Sequence, residues 1–241
     1  MNSRHLCVAS LLVLAAASAA HAVEVITLRS GQVSGVPGTP GGLDDIVTFS
    51  TSPGSGALSA SPFVAADFNA AAANQAIVIA PVGVWLPALA FDSQARWIGT
   101  GFLPNSNYGG PGSTIYRVPF NVTTVGITGA TISVAWASDD TLGDQIYGGA
   151  NPVGGYVRDG FGNITQLTPV TGGNYAVETQ VLSYNITGAI STGANELFFY
   201  SRDQGFGVSG LLFGAELNIV PAPGAAALLG VGSMLTLRRR R

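Results

Sequence analysis

Between Val23 and Asn218 the chain contains no histidine, cysteine, lysine or methionine. His5, His21 and Cys7 all lie in the first 22 residues, the methionines are Met1 and Met234, and lysine occurs nowhere. Each absence excludes a chemistry. Ser-His-Asp and Cys-His nucleophile systems need an imidazole to carry the proton, and Schiff-base catalysis needs a lysine amine. Zinc and copper sites normally draw on imidazole or thiolate, so a metal here would take oxygen ligands, with calcium the usual case. Without disulfides, stability has to come from a hydrophobic core, and a stretch of about 195 residues is long enough to bury one. Positive charge is also scarce. From Val23 to Asn218 five arginines (Arg29, Arg96, Arg117, Arg158, Arg202) stand against thirteen carboxylates, a formal charge of −8. The other five arginines sit in the two ends, which is why the whole chain carries only −3. No basic stripe is available for a phosphate backbone, which argues against nucleic acid.

The first 22 residues, MNSRHLCVASLLVLAAASAAHA, have the three parts of a secretory signal peptide. Arg4 and His5 form a polar start, Leu6 to Ala20 an apolar stretch, and Ala20-His21-Ala22 a small-x-small cleavage site. The mature chain is expected to begin at Val23, after passage through the secretion translocon and cleavage by signal peptidase. From there, short runs rich in Val, Ile, Thr, Tyr and Phe alternate with Gly/Pro turn clusters: VEVITL, DIVTFS, AIVIA, ARWIG, STIYRVPFNV, TISVAWA, VETQVLSYNI, ELFFYS and GLLFGAELNIV. This pattern predicts an all-β sandwich or barrel over residues 23–219. In TISVAWA, Ile132, Val134 and Trp136 fall on one face and Thr131, Ser133 and Ala135 on the other. FVAADFNAAAANQA offers the one short helical signal of the middle region.

The last 22 residues differ from everything before them. Val220-Pro221-Ala222-Pro223 leads into an apolar stretch, Gly224 to Leu237, closed by Arg238, Arg239, Arg240 and Arg241. As a helix the apolar stretch spans about 21 Å, short of the roughly 30 Å hydrocarbon core, and the arginines act as a cytoplasmic stop. This three-part segment, residues 220–241, resembles the PEP-CTERM sorting signal of Gram-negative and planctomycete-type bacteria, with Ala222 where the family usually has glutamate. The resemblance implies an exosortase-type sorting enzyme as partner, a transient inner-membrane tether through the C-terminal hydrophobic helix, and delivery to the cell surface or beyond.

The middle region resembles the galactose-binding-like jelly-roll sandwiches that such proteins often carry. The matching pieces are Ala95-Arg96-Trp97-Ile98-Gly99, Tyr116-Arg117-Val118-Pro119-Phe120, and Ala137-Ser138-Asp139-Asp140 running on to Gly155-Tyr156-Val157. Two sets of side chains are candidates for chemistry. Asp139, Asp140 and Asp144 lie within six positions on one glycine-bounded segment, suited either to calcium or to a polar turn in which aspartates accept backbone N–H bonds. Tyr108 and Tyr147, in loop sequence, are candidate stacking residues for a sugar, whereas Trp97 and Trp136 lie in apolar strand patterns and are expected in the core. No acid and base are selected by spacing for glycoside hydrolysis. The expectation is a non-enzymatic surface or matrix protein with a structural or adhesive role, the alternative being a module that binds extracellular polysaccharide.

Overall fold

A computed structural model of the chain describes residues 22–51, 58, 60–101, 113–168, 170–204 and 207–222. The elements in order are β1 (Glu24–Arg29), β2 (Gln32–Val33), β3 (Val36–Pro37), β4 (Leu43–Thr51), helix α1 (Ala65–Ala70), β5 (Asn74–Val78), β6 (Ile98–Gly99), β7 (Thr114–Val122) and β8 (Ile127–Asp139), followed by β9 (Thr141–Leu142), β10 (Gly155–Arg158), β11 (Ile164–Gln166), β12 (Leu182–Asn185), β13 (Gly193–Arg202) and β14 (Gly210–Pro221). Apart from the β2–β3 hairpin, the strands join one curled antiparallel sheet in the order β11-β10-β13-β7-β4-β5-β6-β14-β8-β12, with β1 added to β14 and β9 to β13. The all-β expectation holds, and the curl brings the two ends of the sheet face to face in the manner of a sandwich.

The alternation in TISVAWA explains the curl. Ile132, Val134 and Trp136 of β8 point inward beside Phe213, Ala215 and Leu217 of β14, and meet Tyr116, Val118, Leu197 and Phe199 of β7 and β13. The rings of Phe199 and Phe213, on opposite halves, lie 4.6 Å apart. Strict alternation fails where strands are covered on both sides. In ELFFYS and GLLFG every apolar side chain is buried, because α1 and its flanks seal Phe198 and Tyr200 while residues 79–97 seal Leu212. ARWIG, predicted as a strand, pairs only over Ile98–Gly99. Trp97 is held instead by its indole N–H, which donates to the Leu86 carbonyl at 2.7 Å.

The pairing of β1 with β14 fixes the positions of both ends. Glu24 lies opposite Ile219 and Arg29 opposite Gly214, so residues 23 and 220 lie side by side at one end of the sheet, about 5 Å apart as antiparallel neighbours. Strand β14 runs on to Pro221, and the Ala222 N–H donates to the Gly126 carbonyl at 2.6 Å. Val220 and Pro221 of the tail motif are thus the last two residues of a strand. Eleven residues before Pro221, roughly 36 Å along the strand, Gly210 pairs with Asp139 at the opposite pole. Among the described residues no helix is long and apolar enough to cross a membrane. The signal peptide through His21, and Pro223 with the apolar stretch and Arg238 to Arg241, lie outside the described residues.

Candidate functional site

The pole far from Val23 and Val220 carries the aspartate segment. Its three carboxylates have separate uses. Asp144 is 1% exposed; its Oδ1 accepts the Tyr200 hydroxyl at 2.9 Å and lies 3.6 Å from Arg202 Nε, and its Oδ2 accepts the Asn151 N–H at 3.0 Å. The loop folds round this carboxylate so closely that a Cβ on Gly149 would stand 2.2 Å from Asp144 Oδ2. Asn151 carries the fastening outward, donating to the carbonyls of Leu58 and Ser61 and accepting the Phe63 N–H. The turn reading therefore describes Asp144, with an addition that local spacing does not reveal: the partner Tyr200 is 56 residues away.

Asp139 and Asp140 form a different arrangement. Asp140 is half-buried and accepts the Gln204 N–H at 2.7 Å. Asp139 is 7% exposed. Burial pushes its carboxyl up to about 7, helped by the hydrogen bond with and charge of Asp140 and by the charge of Asp203, against a hydrogen bond from Trp85. Among the described residues no group of three or more carboxylates, histidines or cysteines is placed to hold a metal ion. The calcium candidates Asp139, Asp140 and Asp144 are brought to one pole but not to one centre. Melting curves in EDTA and in millimolar calcium chloride are accordingly expected to superimpose within about 1 °C, since a ligand that binds only the folded state raises the melting temperature.

Tyr147 lies 37% exposed on the same loop, near enough to Asp140, Asp139 and Arg202 to feel their charges. Burial raises its hydroxyl first, the two aspartates add to this, and Arg202 opposes it. Tyr108, its proposed companion, lies outside the described residues. Trp85, Trp97 and Trp136 are all buried, so none of them offers a surface for stacking.

A second polar feature was not singled out by sequence reasoning. On the outer face of β7, β13 and β10, beyond the edge of α1, Glu196 is shared by two arginines. Arg117 Nε donates to its Oε1 at 2.6 Å, and Arg158 Nε donates to its Oε2. Burial works to raise the Glu196 carboxyl, but the hydrogen bonds and charges of Arg158 and Arg117 hold it below its usual value. Arg158 also donates to Asn69 Oδ1 at 2.6 Å and lies over the Phe198 ring. The trio lines an open groove of about 740 Å³. The available signal was a lone Arg in STIYRVPFNV and a lone Glu in ELFFYS, single charges inside otherwise apolar strands.

No family profile and no curated protein matches the sequence. Among solved structures the chain is similar to the isomalto-dextranase of Arthrobacter globiformis T6 complexed with panose, at 9% identity and a TM-score of 0.29, over 80% of this chain and 23% of that one. The chain thus spans about a quarter of that protein's length, and a likeness this slight informs neither fold nor function.

Proposed function

We infer that the protein is exported, held briefly at the inner membrane by residues 220–241, and released to the cell surface or extracellular matrix as a non-enzymatic structural or adhesive sandwich of the galactose-binding-like jelly-roll type. One observation supports this above the rest: β1 and β14 pair so that Val23 and Val220 emerge together. A signal peptide ending at Ala22 and a tail beginning at Val220 then approach the membrane from one pole, with no need for the domain to be crossed or unfolded. The tail motif overlaps only the last two residues of β14, neither of which belongs to the central core, so its removal leaves that core intact. The lack of His and Cys between Val23 and Asn218, and of Lys throughout, supports the non-enzymatic part.

Intact-mass analysis of the protein from its native host tests this reading. The expected species begins at Val23 and ends near Val220. A mature species retaining Arg241 would instead make the tail a permanent anchor.

A further inference from the structure

The groove beside Glu196 is built from donors. Both Glu196 oxygens are taken, one by each arginine. Asp159, the other carboxylate on its wall, is turned into its own loop: Oδ1 accepts the N–H groups of Phe161 and Asn163 at 2.9 Å each, and Oδ2 accepts the Asn163 amide at 2.8 Å. Asn195 is likewise occupied with the backbone of Ser191 and Gly193. By contrast, among the described residues Nη1 and Nη2 of Arg117 and Nη2 of Arg158 make no hydrogen bond to protein. A site whose two carboxylates are engaged and whose guanidinium donors are open suits a ligand group that accepts, and a planar guanidinium matches a carboxylate in two-point geometry.

Phe161 supplies the other half. Its ring is 83% exposed and belongs to the groove wall. The turn that raises it is fastened at several points: the Asp159 bonds above, the Gly162 N–H to the Asp159 carbonyl at 3.0 Å, and the Gly160 N–H to Ser191 Oγ at 3.0 Å. Gly162 has φ +91°, a conformation that L side chains rarely adopt. A large aromatic held out in water on a braced turn, beside open guanidinium donors, is a platform for the apolar face of a pyranose ring.

We propose that this groove binds an acidic oligosaccharide, a stretch of polysaccharide bearing uronate carboxylates. Arg117 takes the carboxylate and Phe161 packs against a neighbouring sugar face. The volume of about 740 Å³ falls within the usual range for small-ligand sites, and the open shape lets a chain pass through. The negative charge of the whole domain opposes an anionic chain at long range, but physiological salt screens that term beyond about 8 Å and leaves the local donors to decide. The assignment goes beyond the adhesive role inferred above by giving it a site and a ligand class. It stands on the groove and not on the route of export, so mass analysis and sugar binding fail independently.

The test is titration calorimetry of the full chain, in a detergent without a sugar headgroup, against hexamers of uronate and of neutral α-glucan. The uronate hexamer is expected to bind and the glucan to bind at least about tenfold more weakly. Phe161→Ala, at a position whose side chain lies in solvent, is expected to weaken uronate binding about tenfold with an unchanged melting temperature. Arg117→Lys, which keeps the charge beside Glu196 but loses the planar fork, is expected to weaken uronate binding by a similar factor. Equal affinity for the two hexamers, no heat at millimolar uronate, or a Phe161→Ala protein that binds as well as the parent overturns the proposal.

Discussion

Replacing Asp144 by Ala is expected to cost about 3–5 kcal/mol of folding stability, because it removes a shared acceptor from several buried groups at once. The Tyr200 hydroxyl and the Asn151 N–H lose their acceptor, and the Arg202 guanidinium, whose side chain is 11% exposed, loses its nearest carboxylate. Loss of the Asn151 position would also loosen Leu58, Ser61 and Phe63, and with them the aromatic cluster in which Phe63 meets Tyr200 at 4.8 Å. Urea unfolding of the parent, Asp144→Ala and Asp144→Asn measures this. Asn keeps an acceptor for Tyr200 and should fall between the other two. A loss below about 1 kcal/mol in the Ala variant would show that the loop holds itself by other means. The same series separates a fastening role from calcium ligation, in which EDTA would bring the parent down to the level of the variant.

The second large effect is a dependence on pH, centred on Asp139. A carboxyl raised from 3.8 to about 7 in the folded protein keeps its proton where the unfolded chain has released it. Below about pH 4 both states are protonated and the group contributes nothing. Between about 4 and 7 the folded state binds more protons, so stability falls as pH rises, by an amount of order 2–4 kcal/mol in full. Asp139→Asn, which imitates the neutral acid, is expected to match the parent near pH 4 and to exceed it at pH 8. Parallel stability curves for the two proteins from pH 4 to 8 would sink this account. Glu196 works in the other direction: its depressed value supplies stability above the ordinary glutamate range, which is lost as pH falls through the folded value. The two dependences occupy separate windows, and the Asn variant isolates the upper one.

The parts of the fold that were legible in the sequence are those where one face alone is buried. Ile132 and Val134 could be assigned to the core from alternation, and the structure places both there, along with Trp136. Where both faces are covered, as at Phe198 and Phe199 or Leu211 and Leu212, the sequence shows a continuous apolar run and leaves unsaid what covers the outer side. That covering comes from α1, for which FVAADFNAAAANQA gives a helical signal without saying what it covers, and from residues 79–97, whose patterning is too irregular to read. The hairpin β10–β11 was missed as a unit because it holds only seven strand residues. The candidate sites divide in the same way. Adjacent aspartates announce a polar loop, but whether their carboxylates converge depends on partners such as Tyr200 and Arg202 that no local spacing specifies. The Arg117–Glu196–Arg158 trio spans separations of 79 and 38 residues. It exists only because the register sets Arg158 opposite Glu196 and Arg117 opposite Phe198, one step along the same face.

The pairing of β1 with β14 also imposes an order of events in time. A chain threaded across a membrane from its N-terminus delivers Glu24–Arg29 first, but its hydrogen-bonding partners, Gly214 to Ile219, arrive only after nearly two hundred intervening residues. Until then the leading strand waits unpaired, and the sheet cannot close. On the export route proposed above, the apolar stretch that follows would reach the bilayer as that partner crosses. Folding dominated by such distant contacts takes milliseconds to seconds, so on that route attachment would precede completion. Each molecule would finish folding while tethered, its open strand edge kept from neighbouring copies during the interval when edge-to-edge association is the main hazard.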